Sequence, residues 1–168
     1  MDAETIQRHL DDVFDQAIIH HGFTDYMRDY EIVVYCTADP STGIAPANVR
    51  LLFKHCVTAE ASTALSPESW SVSMDDRLLD HAAAADLDGY VWGVRWQCMY
   101  PGASLVEDSE RAARWTEAVG VPFVEARIET NGHHLTLVFA DLEVDDVPPG
   151  YTPFTVGEGG PDFKYPLT

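Results

Sequence analysis

The segment Phe123-Val124-Glu125-Ala126-Arg127-Ile128-Glu129-Thr130-Asn131-Gly132-His133-His134-Leu135-Thr136-Leu137-Val138-Phe139, running on to Val144, decides the fold. Asn131-Gly132 at its centre is the favoured dipeptide of a two-residue type I′ turn, whose twist matches that of two antiparallel strands. Closing the turn on Thr130 and His133 pairs Ile128 with Leu135, Ala126 with Leu137 and Val124 with Phe139. Every apolar pair then falls on one face, so turn chemistry and hydrophobic pattern fix the same register independently.

Working outward, two more strands are predicted upstream. From about Asp29 to Thr37, Tyr30, Ile32, Val34 and Cys36 share a face. From about Val49 to Ala61, Val49, Leu51, Phe53, His55, Val57 and Ala59 alternate with Arg50, Lys54, Cys56, Thr58 and Glu60. That parity puts Cys36 on a core face and Cys56 on a polar one, so no disulfide between them is expected. A further strand, Tyr90 to Cys98, carries Tyr90, Trp92, Val94 and Trp96 on one side.

Three helices complete the reading. The first runs from about Ala3 to His21, capped by Asp2, with Ile6, Leu10, Val13, Phe14 and Ala17 at helical spacing and Gly22 as its stop. His20 and His21 would then complement the negative end of the helix dipole. Ser66-Pro67 opens a second helix through Trp70, Met74 and Leu78. The third, from about Ser109 to Val119, turns Ala112, Trp115 and Val119 inward and ends at Gly120, with Pro122 beyond. After Asp145-Asp146 the chain is rich in proline and glycine; Tyr151 and Phe154 are positioned to anchor its first part. The expected architecture is therefore α+β: a single domain over residues 1–156, with an about five-stranded, mainly antiparallel sheet and helices packed on one face, followed by a Gly/Pro-rich tail over 157–168.

Composition narrows the function. The chain of 168 residues has 28 acidic against ten basic side chains, a formal charge of −18. Such a field repels a nucleic-acid phosphate backbone and attracts a basic protein, although it also serves solubility. No apolar run reaches the length of a membrane span, the N-terminus lacks a secretory pattern, and three cysteines without a CxxC pair suit a reducing compartment; these features point to the cytoplasm.

Candidate chemistry is thin. His133 and Asp141 share a strand face but are too far apart for one ion, His20-His21 are not at chelating spacing, and no calcium loop, nucleophile elbow or phosphate loop is present, so neither a metal nor another cofactor is expected. No catalytic set can be named. Asp75, Asp76, Asp80, Asp86 and Asp88 form one acidic cluster, read as a solvated face or a docking face for a basic partner; Asp141, Glu143, Asp145 and Asp146 form another. His55 stands on an otherwise apolar face. The ordinary reading is a core histidine with a hydrogen-bond partner. If it lines a pocket with Tyr90, Trp92 and Trp96, it becomes the first candidate general base of a small-molecule site.

Phe14-Asp15, His21-Gly22-Phe23-Thr24-Asp25-Tyr26-Met27-Arg28-Asp29-Tyr30, Asp88-Gly89-Tyr90-Val91-Trp92-Gly93 and Glu129-Thr130-Asn131-Gly132-His133 together resemble the YxiG-like proteins of bacteria, over most of Asp11 to Val156. The resemblance brings no established activity, cofactor or site residue. By analogy with small proteins encoded near secreted-toxin genes, it implies an immunity-type role, in which an acidic domain neutralises a basic partner.

Overall fold

In the computed structural model, residues 1–24, 27–67 and 97–152 are described. Helix α1 (Ala3–Asp11) is followed by β1 (Ala17–Phe23), β2 (Tyr30–Cys36), β3 (Ala47–Lys54), β4 (Thr58–Thr63), β5 (Gln97–Cys98), β6 (Gly102–Leu105), helix α2 (Glu110–Val119), β7 (Val124–Glu129), β8 (His133–Phe139) and β9 (Asp141–Val147). The fold is α+β, but the single sheet expected from the sequence is two antiparallel sheets, of order β5-β1-β2-β3-β9 and β4-β8-β7-β6.

The second sheet is built on the hairpin. Its register is as expected, with Ile128 opposite Leu135, Ala126 opposite Leu137 and Val124 opposite Phe139. The turn chemistry differs. A type I′ turn needs positive φ at both central residues, and neither Asn131 nor Gly132 has it. Thr130 closes the tip instead: its Oγ1 accepts from the Gly132 and His133 amides, both at 2.9 Å. The tip also docks on the first sheet. Cys98 N donates to Asn131 Oδ1 at 3.0 Å, His133 N donates to Gln97 Oε1 at 3.0 Å, and a Cβ on Gly132 would lie 2.8 Å from Gln97 Cδ. Glycine is favoured here by the close approach of the Gln97 side chain rather than by backbone conformation.

The long second strand bends and changes sheets. Lys54 pairs with Asp141 and Thr58 with Val138, so His55, Cys56 and Val57 oppose only Phe139 and Ala140. This is a β-bulge, with His55 at φ 53° in the left-handed position where glycine is commonest. The extra residue overturns the strand parity. His55 is exposed rather than on the core face, and Cys56 is buried rather than polar-facing. The partner strand bends beside it: Val57 N donates to Val138 O at 2.8 Å and Ala140 N donates to Lys54 O at 3.0 Å, so the ladder continues from β3/β9 into β4/β8.

The inner faces share one core. Ile32, Val34, Leu51 and Phe53 from the first sheet join Ile128, Leu135, Leu137 and Phe139 from the second, and the Phe53 and Phe139 rings meet edge to face at 4.9 Å. Ile6 and Leu10 of α1 enter the same cluster, while Gln7 caps the β6 edge by donating to Ala103 O and accepting from Leu105 N.

Helix α1 is shorter than its apolar spacing predicts. It ends at Asp11, Asp15 takes a left-handed φ of 59°, and Ala17-Ile18-Ile19-His20-His21 becomes strand β1 against β2. Two adjacent β-branched isoleucines suit a strand, and pairing with β2 overrides a spacing compatible with either state. His20 and His21 therefore lie in a sheet and not at a helix end.

Helix α2 has the expected Ser109 cap and Gly120 stop, the latter at φ 81°. It packs through Ala112 on Phe123 and Val138, on the outer face of the second sheet, so the helices do not share one face. Trp115 and Val119, expected inward, are 40% and 52% exposed. The helix expected from Ser66-Pro67 and most of the Tyr90 to Cys98 strand lie outside the described residues, as does the tail from residue 153.

Thr130 is nearly inaccessible and satisfies two amides at the hairpin tip. Thr130→Val keeps its shape and removes that acceptor, so chemical denaturation is expected to show a loss of about 1–3 kcal/mol with an unchanged denaturant slope.

Candidate functional site

Of the residues proposed from the sequence for the first acidic cluster and the aromatic pocket, only His55 is described. Asp75, Asp76, Asp80, Asp86 and Asp88, and Tyr90, Trp92 and Trp96, lie outside the described residues. His55 is no core histidine, because the bulge turns its ring outward. Its amide donates to Asp29 Oδ1 at 2.8 Å, and the Cys56 amide donates to Arg28 O at 2.8 Å. These two bonds stitch the bulge to the turn before β2, and between that turn and the chain leaving α2 lies an open groove of about 730 Å³. His55, Arg28 and Asp141 supply its polar side chains, and Met27, Val119 and Val121 are among its apolar walls.

Cys56 forms the groove floor without being a nucleophile. Its Sγ donates to Thr58 O at 3.1 Å, and burial pushes the thiol up to about 11, so it stays protonated at neutral pH.

Asp29 is the electrostatic anchor of this corner. Burial raises its pKa, but the His55 amide, Lys54 and Arg28, with both cations at 3.6 Å, outweigh that and hold the carboxyl below the usual 3.8.

A second groove of about 520 Å³ runs between the start of α1 and α2. Glu107, Asp108, Glu117 and Glu125 line it, and no lysine or arginine among the described residues does. Glu125 is buried, accepts from Ser109 Oγ and faces Arg111 Nε at 3.8 Å. Glu107, Asp108 and Glu117 are exposed and have no cationic partner among the described residues.

The other acidic cluster is differently placed. On β9, Asp141 binds the Met1 amino group at 2.6 Å, Glu143 faces Lys54 at 3.6 Å, and Asp145 binds Arg50 at 2.7 Å. Those carboxylates are largely neutralised, whereas the α2 groove is not. Sequence reasoning missed the α2 groove because Glu107 and Asp108 before a helix start are ordinary partners of the helix dipole and Glu117 reads as a solvated helix position, so none carries a separate signal.

On the outer face of the first sheet, Glu31 is fully buried. Tyr151 Oη donates to its Oε2 at 2.7 Å and accepts from Arg50 Nη1 at 3.3 Å, which ties the chain after β9 to the sheet as expected for Tyr151. Glu31 Oε1 and His20 Nε2 stand 3.6 Å apart, each without a hydrogen-bond partner. Among the described residues no group of three His, Cys, Asp or Glu is arranged to hold a metal. No helix among them is long and apolar enough to cross a membrane.

The depressed Asp29 pKa has a defined pH consequence. Because the folded value lies below the unfolded one, its contribution is complete above the unfolded pKa and disappears as pH falls through the folded value. Asp29→Asn retains an acceptor for the His55 amide and loses the two ion pairs. Stability curves are expected to show a loss of about 1–2 kcal/mol at pH 7 that closes as pH falls through the depressed folded value.

Among curated proteins no match is found. The family model described as YxiG-like protein matches residues 2–157, which takes in both sheets, both helices and both grooves. The chain therefore belongs to the YxiG-like protein family.

Proposed function

We propose that this YxiG-like protein is an immunity-type binding module of the cytoplasm that neutralises a basic protein partner, and that the partner docks on the groove beside α2. The observation that carries this reading is the contrast between two acidic surfaces. Three of the four β9 acids, Asp141, Glu143 and Asp145, are matched by cations of the chain itself, whereas Glu107, Asp108 and Glu117 border a groove and have no such match among the described residues.

A lysine or arginine of the partner entering the groove meets Glu107 and Asp108 just before the Ser109 cap and Glu117 in the last turn of α2. A guanidinium is favoured, because its planar fork accepts paired carboxylate oxygens in fixed geometry. Trp115, 40% exposed on the same helix and packed on the groove-lining Phe123 with ring centroids 6.1 Å apart, supplies the type of aromatic anchor on which interface energy concentrates. The net charge of −18 acts at longer range, speeding encounter with a cationic surface and excluding anionic ones. A stable complex requires about 800 Å² from each partner, so the groove serves as the centre of a larger contact around α2.

The test uses wild type and the triple variant Glu107→Gln/Asp108→Asn/Glu117→Gln, each immobilised and exposed to lysate of the parent cell, with retained proteins identified and their kinetics measured. A basic protein is expected on the wild type. Its association rate should fall about 10-fold or more between low and high salt, and its affinity for the triple variant should fall by a similar factor. Equal retention by the variant, an acidic partner, or no retained protein would each contradict the proposal.

A further inference from the structure

The groove beside His55 is assembled from two turns distant in sequence, and both carry a non-glycine residue in the left-handed region: Met27 at φ 55° and His55 at φ 53°. The Cys56 amide to Arg28 O and the His55 amide to Asp29 Oδ1 hold the turns together. Val119, Val121 and Phe123 form the facing wall. The volume of this open groove, about 730 Å³, lies within the range of sites for small organic ligands.

The ligand class follows from which polar groups retain hydrogen-bonding capacity. The carboxylates each already hold donors of the chain. Asp141 Oδ1 accepts from the Met1 amino group and from Leu142 N, and Asp29 accepts from the His55 amide and faces two cations. The donors are less engaged. Among the described residues the Arg28 guanidinium meets only Asp29, through Nε at 3.6 Å, with its side chain 61% exposed. The His55 ring has no hydrogen-bond partner among the described residues. The groove therefore offers spare donors beside apolar walls.

We infer that this groove binds a small amphiphile with an apolar chain and a terminal carboxylate. The chain lies against Met27, Val119, Val121 and Phe123, and the carboxylate accepts from the Arg28 fork and the His55 ring N–H. The acidity of the protein does not exclude an anion here. Charges more than about 8 Å away are largely screened at physiological salt, and among the described residues the carboxylates at this corner, Asp29 and Asp141, are each paired with a cation. A protonated amine of the same length would set its charge against Arg28, and an alcohol would offer a single uncharged oxygen.

Octanoate, octanol and octylamine serve as probes in titration calorimetry of the full chain. Octanoate is expected to bind at least about 5-fold more tightly than octanol, with octylamine weakest, since hydrogen bonds to a charged group are worth about 1.5–3 kcal/mol. Arg28→Gln and His55→Asn should each weaken octanoate about 10-fold and leave octanol unchanged. Asparagine tolerates the left-handed backbone and Arg28 is largely exposed, so unchanged melting temperatures verify that both variants fold. The triple variant of the α2 groove should bind octanoate as wild type does, which separates this site from the protein-docking surface. Octylamine binding as well as octanoate, octanoate affinity indifferent to both substitutions, or no binding of any probe would overturn the inference.

Discussion

The structure depends on one corner, where two paired strands leave the first sheet together and enter the second. Val57 bonds to Val138 and Ala140 to Lys54 across that bend, so the backbone ladder is interrupted by a single extra residue and not by a loop. A separate pair of sheets would have to bury its open edges or leave them to water. Here the bend carries β3 and β9 into β4 and β8, and Phe53 and Phe139 meet just inside it. The bulge costs strain at His55, offset by the bonds from the His55 and Cys56 amides to the turn before β2. The same geometry turns the imidazole outward, so a packing requirement creates the wall of a groove.

Charge is distributed with equal consequence. Lys54 and Arg50, two of the few basic residues, are spent on β9 and on the buried carboxylates Asp29 and Glu31, the latter through Tyr151. Helix α2 carries Arg111 and Arg114, of which Arg111 is taken up by Glu60 and Glu125, and Glu107, Asp108 and Glu117 stand around a concavity on the outer face of the second sheet without a cationic partner among the described residues. That division supports reading the α2 side as a docking surface and the His55 side as a smaller, donor-rich groove.

Much of this was legible in the sequence where a local rule and a burial pattern agreed. The hairpin register could be read from Ile128/Leu135, Ala126/Leu137 and Val124/Phe139, because a one-residue slip would expose all of them. Its turn type could not, since Asn131 and Gly132 answer to Thr130 and to Gln97 from a distant segment. The Ser109 cap and Gly120 stop were readable for the same local reason, but the outward placement of Trp115 and Val119 was not, because α2 touches the sheet through a narrow strip. Ala17 to His21 satisfied both helical and strand spacing, and only β2 decides between them. The bulge at His55 has no glycine to announce it, so alternation carried unbroken through Val49 to Ala61 misassigned His55 and Cys56.

If the bend makes the two sheets one cooperative unit, native-state hydrogen exchange at the corner is the direct measure of it. The account predicts that the amides of His55, Cys56, Val57 and Ala140 exchange only through global unfolding, with the same free energy as Leu51 in the first sheet and Leu137 in the second. Fast exchange at those four amides, with the two sheets losing protection at different denaturant concentrations, would contradict it.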